Sequence, residues 1–326
     1  MRRRDFIKVI AGSAAIWPLA ARAQQPAMPV IGFLRNTAAT GYNPMVTAFV
    51  QGLKEAGFVV GENVAIEYRW ADNQNDRLPA LAADLVRRQV TVIMAAGIPA
   101  ALAAKAATTT IPIVFEMADD PVDIGLVASL NRPGGNLTGV TTLNVELAPK
   151  RLDLLHEVVP TTRSIALLVD PGNPVNERLS RDTQTAAQTL GLQLHVLNAR
   201  TERDFDTVFA SMVQMQVGAL VINNGPLFLS RVEQLAALTV RHALPAISAY
   251  REFTAAGGLM SYGGSLADAY RLTAVNVGRI LKGERPANLP VQQATKVELF
   301  LNLKTAKALG LTVPQSLRAT ADDAIE

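Results

Sequence analysis

The chain has 326 residues, 49% of them hydrophobic, which is enough for two modest domains with cores of their own and argues against intrinsic disorder. Residues 1–23 carry +4 against the formal total of +3, leaving −1 for the rest, so a nucleic-acid partner, which needs a basic face on the folded part, loses its support. Cysteine is absent, which excludes disulfides, thiolate metal sites and a lipidated cysteine behind a leader.

The first 23 residues read as an export signal. Arg2, Arg3, Arg4 and Lys8 precede the apolar stretch "VIAGSAAIWPLAA", and Ala21-Arg22-Ala23 forms a small-x-small cleavage site before Gln24. The 13 apolar residues fall short of the ~20 that span a bilayer as a helix. "RRDFIK", Arg3 to Lys8, resembles a twin-arginine signal, with an ordinary Sec signal as the alternative. Either route places the mature chain in the periplasm, with cleavage near Ala23.

From Pro29 onward β-rich runs alternate with runs of helical period. "VIGFL" predicts a buried strand, and Met45, Phe49 and Leu53 then recur at helical spacing until Gly57. "NVAIEYRW", a helix with Leu78, Leu81 and Leu85, "VTVIMAA", the helical "PAALAAKAAT" and "IPIVFE" continue the pattern. In "ADDPVDIGLVASLNRPGG", Asp120 and Pro121 predict the start of a helix carrying Val122, Leu126 and Leu130, ended by the Pro/Gly break. "NLTGVTTL" reads as extended. The alternation then restarts with "SIALLVD", "LQLHVLN", "GALVINN" and "LPAIS", with helices between them and a capping box at Thr201-x-x-Asp204.

Strands separated by helices of ten or more residues imply parallel βαβ units, so the expected class is α/β with two doubly wound parallel-sheet lobes. Ligands of such sheets gather beyond the carboxyl ends of the strands. That rule selects the loops holding Asn36 and Thr37, Gly97 and Ile98, Glu116 to Asp120, Asp170 and Asn173, Asn223 to Gly225, and Tyr250 with Arg251. Most of these are uncharged hydrogen-bonding groups, suited to holding a small polar molecule.

Signatures of several chemistries are missing. No phosphate-cradling loop of the Walker or dinucleotide type occurs, nor the G-x-S-x-G elbow of many hydrolases. The three histidines, His156, His195 and His242, stand far apart, which makes a transition-metal site improbable. Asp119-Asp120 offers an acid pair in principle, but adjacent positions rarely aim both side chains at one substrate. Capping suits Asp120 better, and Asp119 is left open to solvent or ligand.

Several long segments resemble the substrate-binding proteins of ATP-binding cassette (ABC) transporters of the tryptophan/tyrosine-binding type, which have the type I periplasmic-binding fold. They are "DDPVDIGLVASLNRPGGNLTG", "GPLFLSRVEQLAAL", "RHALPAISAYREFTAAGGLMSYG" and "ILKGERPANLPVQQATKVELFLNLKTAKALGL". The resemblance implies a first lobe of residues 24–141 completed by 263–290, and a second of 142–262 completed by 291–326. Crossings are implied near Val140 to Asn144, Met260 to Gly263 and Leu289 to Glu298, with the helix Leu266 to Leu281 rejoining the first lobe.

The same resemblance implies binding without chemistry on the ligand, no cofactor, an inner-membrane permease as partner, and a monomer. Asn36, Thr37 and the backbone near Gly97 are its candidates for an anionic end of the ligand. Asp119, Asn173 and Asn223 are candidates for an ammonium, Tyr250 for a pocket wall, and Glu116 and Ile98 border the same loops. Relatives often carry Ser or Thr where this chain reads Gly97-Ile98-Pro99, so an aromatic or branched-chain carboxylate fits as well as an amino acid. Two other readings stand beside it: a ligand-sensing module for a membrane signalling partner, and an exported hydrolase or lyase using Asp119, Asp120 and His156.

Overall fold

The computed structural model describes residues 28–39, 43–142, 144–172 and 176–326; the expected export signal at 1–23 and the candidate Asn173 lie outside them. The first sheet is built by β1 (Val30–Arg35), α1 (Asn43–Glu55), β2 (Ala65–Trp70), α2 (Leu78–Arg87), β3 (Val92–Ala96), α3 (Ile98–Ala107), β4 (Ile113–Met117) and β5 (Leu137–Thr141). Its strands run parallel in the order β2-β1-β3-β4-β5.

Continuous apolar runs form the central strands because both faces are covered. Alternate residues go to opposite sides. Ile31, Phe33, Val92 and Met94 pack with Met45, Phe49 and Leu53 of α1. Leu34, Ile93 and Ala95 meet Leu78, Ala82 and Leu85 of α2 and Ala100, Ala101 and Ala104 of α3. Each fully buried Leu or Phe contributes roughly 1.5–3 kcal/mol of transfer free energy.

The chain then enters a second sheet through α4 (Ala148–Val158), β6 (Ser164–Val169), α5 (Asn176–Thr189), β7 (Gln193–Asn198), α6 (Asp204–Gln214) and β8 (Ala219–Ile222). It continues with α7 (Pro226–Ser230), α8 (Val232–Arg241), β9 (Ala246–Ser248), α9 (Arg251–Ala255) and β10 (Met260–Gly264). The helix α10 (Leu266–Leu281) and the short strand β11 (Gln292–Gln293) return to the first sheet, where β11 pairs with β5. β12 (Val297–Asn302), α11 (Leu303–Ala308), α12 (Gln315–Thr320) and β13 (Asp323–Ile325) complete the second, in the order β7-β6-β8-β9-β10-β12-β13.

Four features depart from the sequence expectations. β12 runs antiparallel to β10, against the expectation of wholly parallel lobes. The chain leaves the second sheet at the carboxyl end of β10 and comes back on that same side, so its next strand must run the opposite way. Gln292 and Gln293 pair in the first sheet and β10 pairs through Gly264, which puts the second crossing at Ser265, just past the expected Met260 to Gly263, and the third at residues 294–296, inside the expected Leu289 to Glu298. The helix expected from Pro121 is a series of turns: Leu126 N–H donates to the Pro121 carbonyl, and Gly125 at φ 67° breaks the coil. Asp204 itself starts α6, and its carboxylate takes the Thr201 N–H at 2.9 Å, which is half of the expected capping box.

The three crossings are tied together. Asn144 Oδ1 accepts the Gly264 N–H at 2.6 Å, and the fully buried Arg151 donates to the carbonyls of Asn144 and Tyr262 at 2.9 and 3.1 Å. Ala294 N–H donates to the Thr141 carbonyl, and Ser265 N–H to the Lys296 carbonyl. On the first lobe α10 lies against α1 so closely that a Cβ on Gly52 would stand 2.3 Å from the Arg271 carbonyl oxygen.

Candidate functional site

In a doubly wound sheet the strand order reverses at one point, and the diverging loops there leave a crevice. The reversal falls between β1 and β3 in the first sheet and between β6 and β8 in the second. The two crevices face each other across one cavity of about 90 Å³. At about 30 Å³ of liquid volume per molecule, that is room for roughly three water molecules.

From the first sheet Arg35 ends β1 and Asn36 follows it, Gly97, Ile98 and Pro99 open α3, and Glu116 and Asp119 come from β4 and its loop. Arg35 is buried and engaged: its Nε donates to Thr37 Oγ1 at 3.0 Å, its Nη1 to the Tyr270 hydroxyl, and Nη1 lies 3.9 Å from Glu116 Oε2. Burial pushes the Glu116 carboxyl up to about 7, against the pull of Arg35 and with the help of Asp119. Burial also pushes Asp119 up to about 7, with Arg178 pulling the other way. Asp119 Oδ1 and Asn36 Oδ1 are buried without a hydrogen-bond partner among the described residues. Gly97 holds φ 86° where its N–H donates to the Glu116 carbonyl, a left-handed turn that glycine adopts without strain.

From the second sheet come Asp170 and Gly172 after β6, Asn224, Gly225 and Pro226 after β8, and Tyr250 after β9. The Tyr250 hydroxyl accepts the Gly225 N–H at 2.9 Å and so fixes the β8 loop against the β9 loop. Asp170 is raised by burial, partly offset by the Gly172 N–H that its carboxylate accepts. Asn224 Oδ1 and, from the first crossing, Thr142 Oγ1 are two more buried oxygens without a partner among the described residues.

Of the residues expected from sequence, the structure brings Asn36, Gly97, Ile98, Glu116, Asp119 and Tyr250 to the cavity. Thr37 and Asn223 are buried but spent elsewhere. Thr37 takes the Arg35 guanidinium, and Asn223 donates to Asn176 Oδ1 at 3.0 Å while its own oxygen accepts the Asn224 N–H. Asn224, the next residue in the chain, takes its place at the wall. Asp120 turns back to the Val122 N–H at 2.7 Å, and neither it nor His156 lines the cavity. The acid pair and histidine of the hydrolase reading therefore do not meet.

Sequence reasoning missed Arg35, Thr142, Asn144 and Leu266. Arg35 ends a strand and reads as an ordinary edge charge, while the others reach the cavity only through the crossings. Among the described residues no cluster of His, Asp and Glu is placed to hold a metal, and no helix is long and apolar enough to cross a membrane.

Two doubly wound sheets joined by three crossings, with one cavity at both switch points, define a two-lobed binding protein of the type I periplasmic-binding class. A family model described as ABC transporter substrate binding protein matches residues 36–325, and the chain belongs to that family. It is 25% identical over 269 residues to a tyrosine-binding protein of Clostridioides difficile, covering 81% of this chain and 75% of that one. A conserved domain protein from Vibrio cholerae superposes with a TM-score of 0.84 at 25% identity, covering 91% of this chain and 99% of the other. An ABC domain from Streptococcus pneumoniae in complex with L-Trp gives 0.83 at 22% identity with the same coverage. The family and its tyrosine-binding relative are binding proteins, not enzymes.

Proposed function

We propose that the chain is the solute-binding component of an ABC transporter, exported to the periplasm with its leader cleaved near Ala23. It captures one small solute between its lobes and presents the closed form to a permease in the inner membrane. The first lobe comprises the residues up to 141 with 265–293, and the second 142–264 with 294–326. Closing the lobes about the crossings hides the solute from water, and the solute shifts the equilibrium by its extra affinity for the closed state.

The observation that carries this reading is one cavity lined by loops from the switch points of both sheets. The tyrosine and tryptophan in the names of two relatives support a solute of amino-acid size. The aromatic and branched carboxylates suggested by Ile98 form the second class.

The test is a thermal-shift screen of the chain from Gln24 onward against amino acids, aromatic and branched-chain acids, amines and small amides. A solute at 100 times its Kd adds about 2.7 kcal/mol of stability. A stabilising solute whose cellular uptake falls when the gene is deleted supports both binding and transport. A panel without any shift contradicts the binding reading, and binding without an uptake defect contradicts the transport partner.

A further inference from the structure

We propose that two contacts between the lobes, an apolar seam around Leu229 and the ion pair Arg178–Asp123, latch the closed form before any solute arrives, so that Leu229 and Arg178 set affinity as positioning residues that touch no solute; the inference rests on the solute-binding reading above.

Leu229 sits on α7 in the second lobe, but its side chain leaves that lobe's core. Its neighbours Leu227 and Phe228 pack there with Phe253. Leu229 groups instead with Met45 and Phe49 of α1 and Tyr270 of α10, together with Ala249 and Tyr250 from the loop after β9. It is 2% exposed. Pro44, at the start of α1, borders one groove with Leu229 and Val232, so the start of α1 stands beside α7. Arg178, near the start of α5 in the second lobe, reaches Asp123 in the loop after β4 of the first, Nη1 to Oδ2 at 2.5 Å. Among the described residues it is the one ion pair between the lobes.

The two contacts flank the cavity. In the first sheet α1 follows β1 and Asp123 follows β4, on either side of the switch point between β1 and β3. In the second sheet α7 follows β8 and α5 follows β6, on either side of the switch point between those strands. Leu229, Arg178 and Asp123 do not line the cavity. β1 stands three strands from β5, and β8 two strands from β10, which are the strands that lead into the crossings. At about 4.8 Å per strand the lever is roughly 10–14 Å. A rotation about the crossings that opens the cleft therefore draws Leu229 away from α1 and returns it to water.

Apolar surface that is buried only in the closed form favours that form. The ion pair adds less, because its arginine and aspartate side chains are 39% and 55% exposed. A solute then meets a protein whose binding-competent form is already populated, and its apparent affinity carries a smaller conformational cost.

The chain has no cysteine, so a pair of introduced cysteines carries spin labels at chosen positions only. Asp76→Cys lies beyond β2 and Arg203→Cys beyond β7, both exposed and next to the outermost strands of their sheets. Without solute, pulsed electron spin resonance on this labelled protein should resolve a short-distance population beside a longer one. Leu229→Ala should lower the ratio of short to long about tenfold. Arg178→Glu should lower it about threefold, less in high salt, and adding Asp123→Arg should restore it. L-tyrosine, L-tryptophan and L-leucine should each lose several-fold in affinity on Leu229→Ala, by the same factor for every one that binds. Absence of the short population in the unliganded protein overturns the proposal, as does a ratio unchanged in Leu229→Ala, or in Arg178→Glu should the first variant fail to fold. If one of these solutes binds the protein and Leu229→Ala equally, the inference fails and the solute-binding reading stands. If the distances respond as expected and none of the three solutes binds, the latch stands and the broader screen decides the reading beneath it.

Discussion

Arg151 donates to the backbone carbonyl of Asn144 at 2.9 Å from a fully buried position, and Asn144 in turn holds the Gly264 N–H with its side chain. One cation on α4 therefore fastens the first crossing, and through it the second. Burial pulls the guanidinium down to about 10, so it stays charged at neutral pH.

Replacing that cation tests the fastening. Arg151→Met leaves the Asn144 and Tyr262 carbonyls unpaired, an effect of about 1–3 kcal/mol each, which relief from burying the charge partly offsets. We expect a net loss of about 2 kcal/mol in urea unfolding, together with weaker solute binding. Unchanged stability would show that the crossings do not depend on this contact.

Acid behaviour follows from Glu116 and Asp119. Their carboxyls are raised in the fold, so between their unfolded values near 4 and about 7 the native state keeps protons that the unfolded chain has lost. Stability without solute then falls as pH rises from 4 to 7 and levels off above. Half-buried surface acids such as Glu67 and Asp84 are lowered by their arginine partners, and their contribution is lost only as pH drops below about 4. Melting temperatures across pH 4–8 should show the decline, and Asp119→Asn should flatten it and gain on the order of 2 kcal/mol at pH 8. A wild-type profile that rises steadily to pH 8 would contradict this.

Tyr250→Phe tests the hydroxyl that accepts the Gly225 N–H. The substitution keeps the ring and removes the acceptor of the Gly225 N–H, at a cost of about 1 kcal/mol. With the β8 loop freed, solute affinity should drop several-fold, which calorimetric titration reads directly. An affinity equal to that of the wild type would mean that the loop is held by other contacts.

Gly52→Val probes the seam between α1 and α10. The added side chain has to displace the Arg271 carbonyl, and overpacking of this kind costs about 1–3 kcal/mol. Because the lesion lies far from the cavity, the melting temperature should fall while the affinity of the folded fraction stays unchanged.

Much of the fold was legible because its strands are apolar runs bounded by turn residues. "SIALLVD" and "VIGFL" became β6 and β1 almost to the residue, and the helix at Leu266–Leu281 matched its expected bounds. Pro121 and Asp120 misled because a good helix start says nothing about continuation, which Gly125 prevents. The antiparallel β12 was hidden since strand direction is set by where the chain re-enters, and no local pattern records that. At the site, loop positions beyond the strand ends found Asn36, Gly97 and Asp119. Only the direction of each side chain separates Asn224, at the wall, from Asn223, turned to Asn176.

The central claim is that one solute is held by both lobes at once. The most direct measurement is calorimetric titration of the wild type, Asp119→Asn and Asn224→Leu with the tightest solute from the thermal screen. We predict one site per chain and an affinity about tenfold weaker or more in each variant, one substitution lying in each lobe. A solute that binds all three proteins equally would place its site elsewhere and contradict the account.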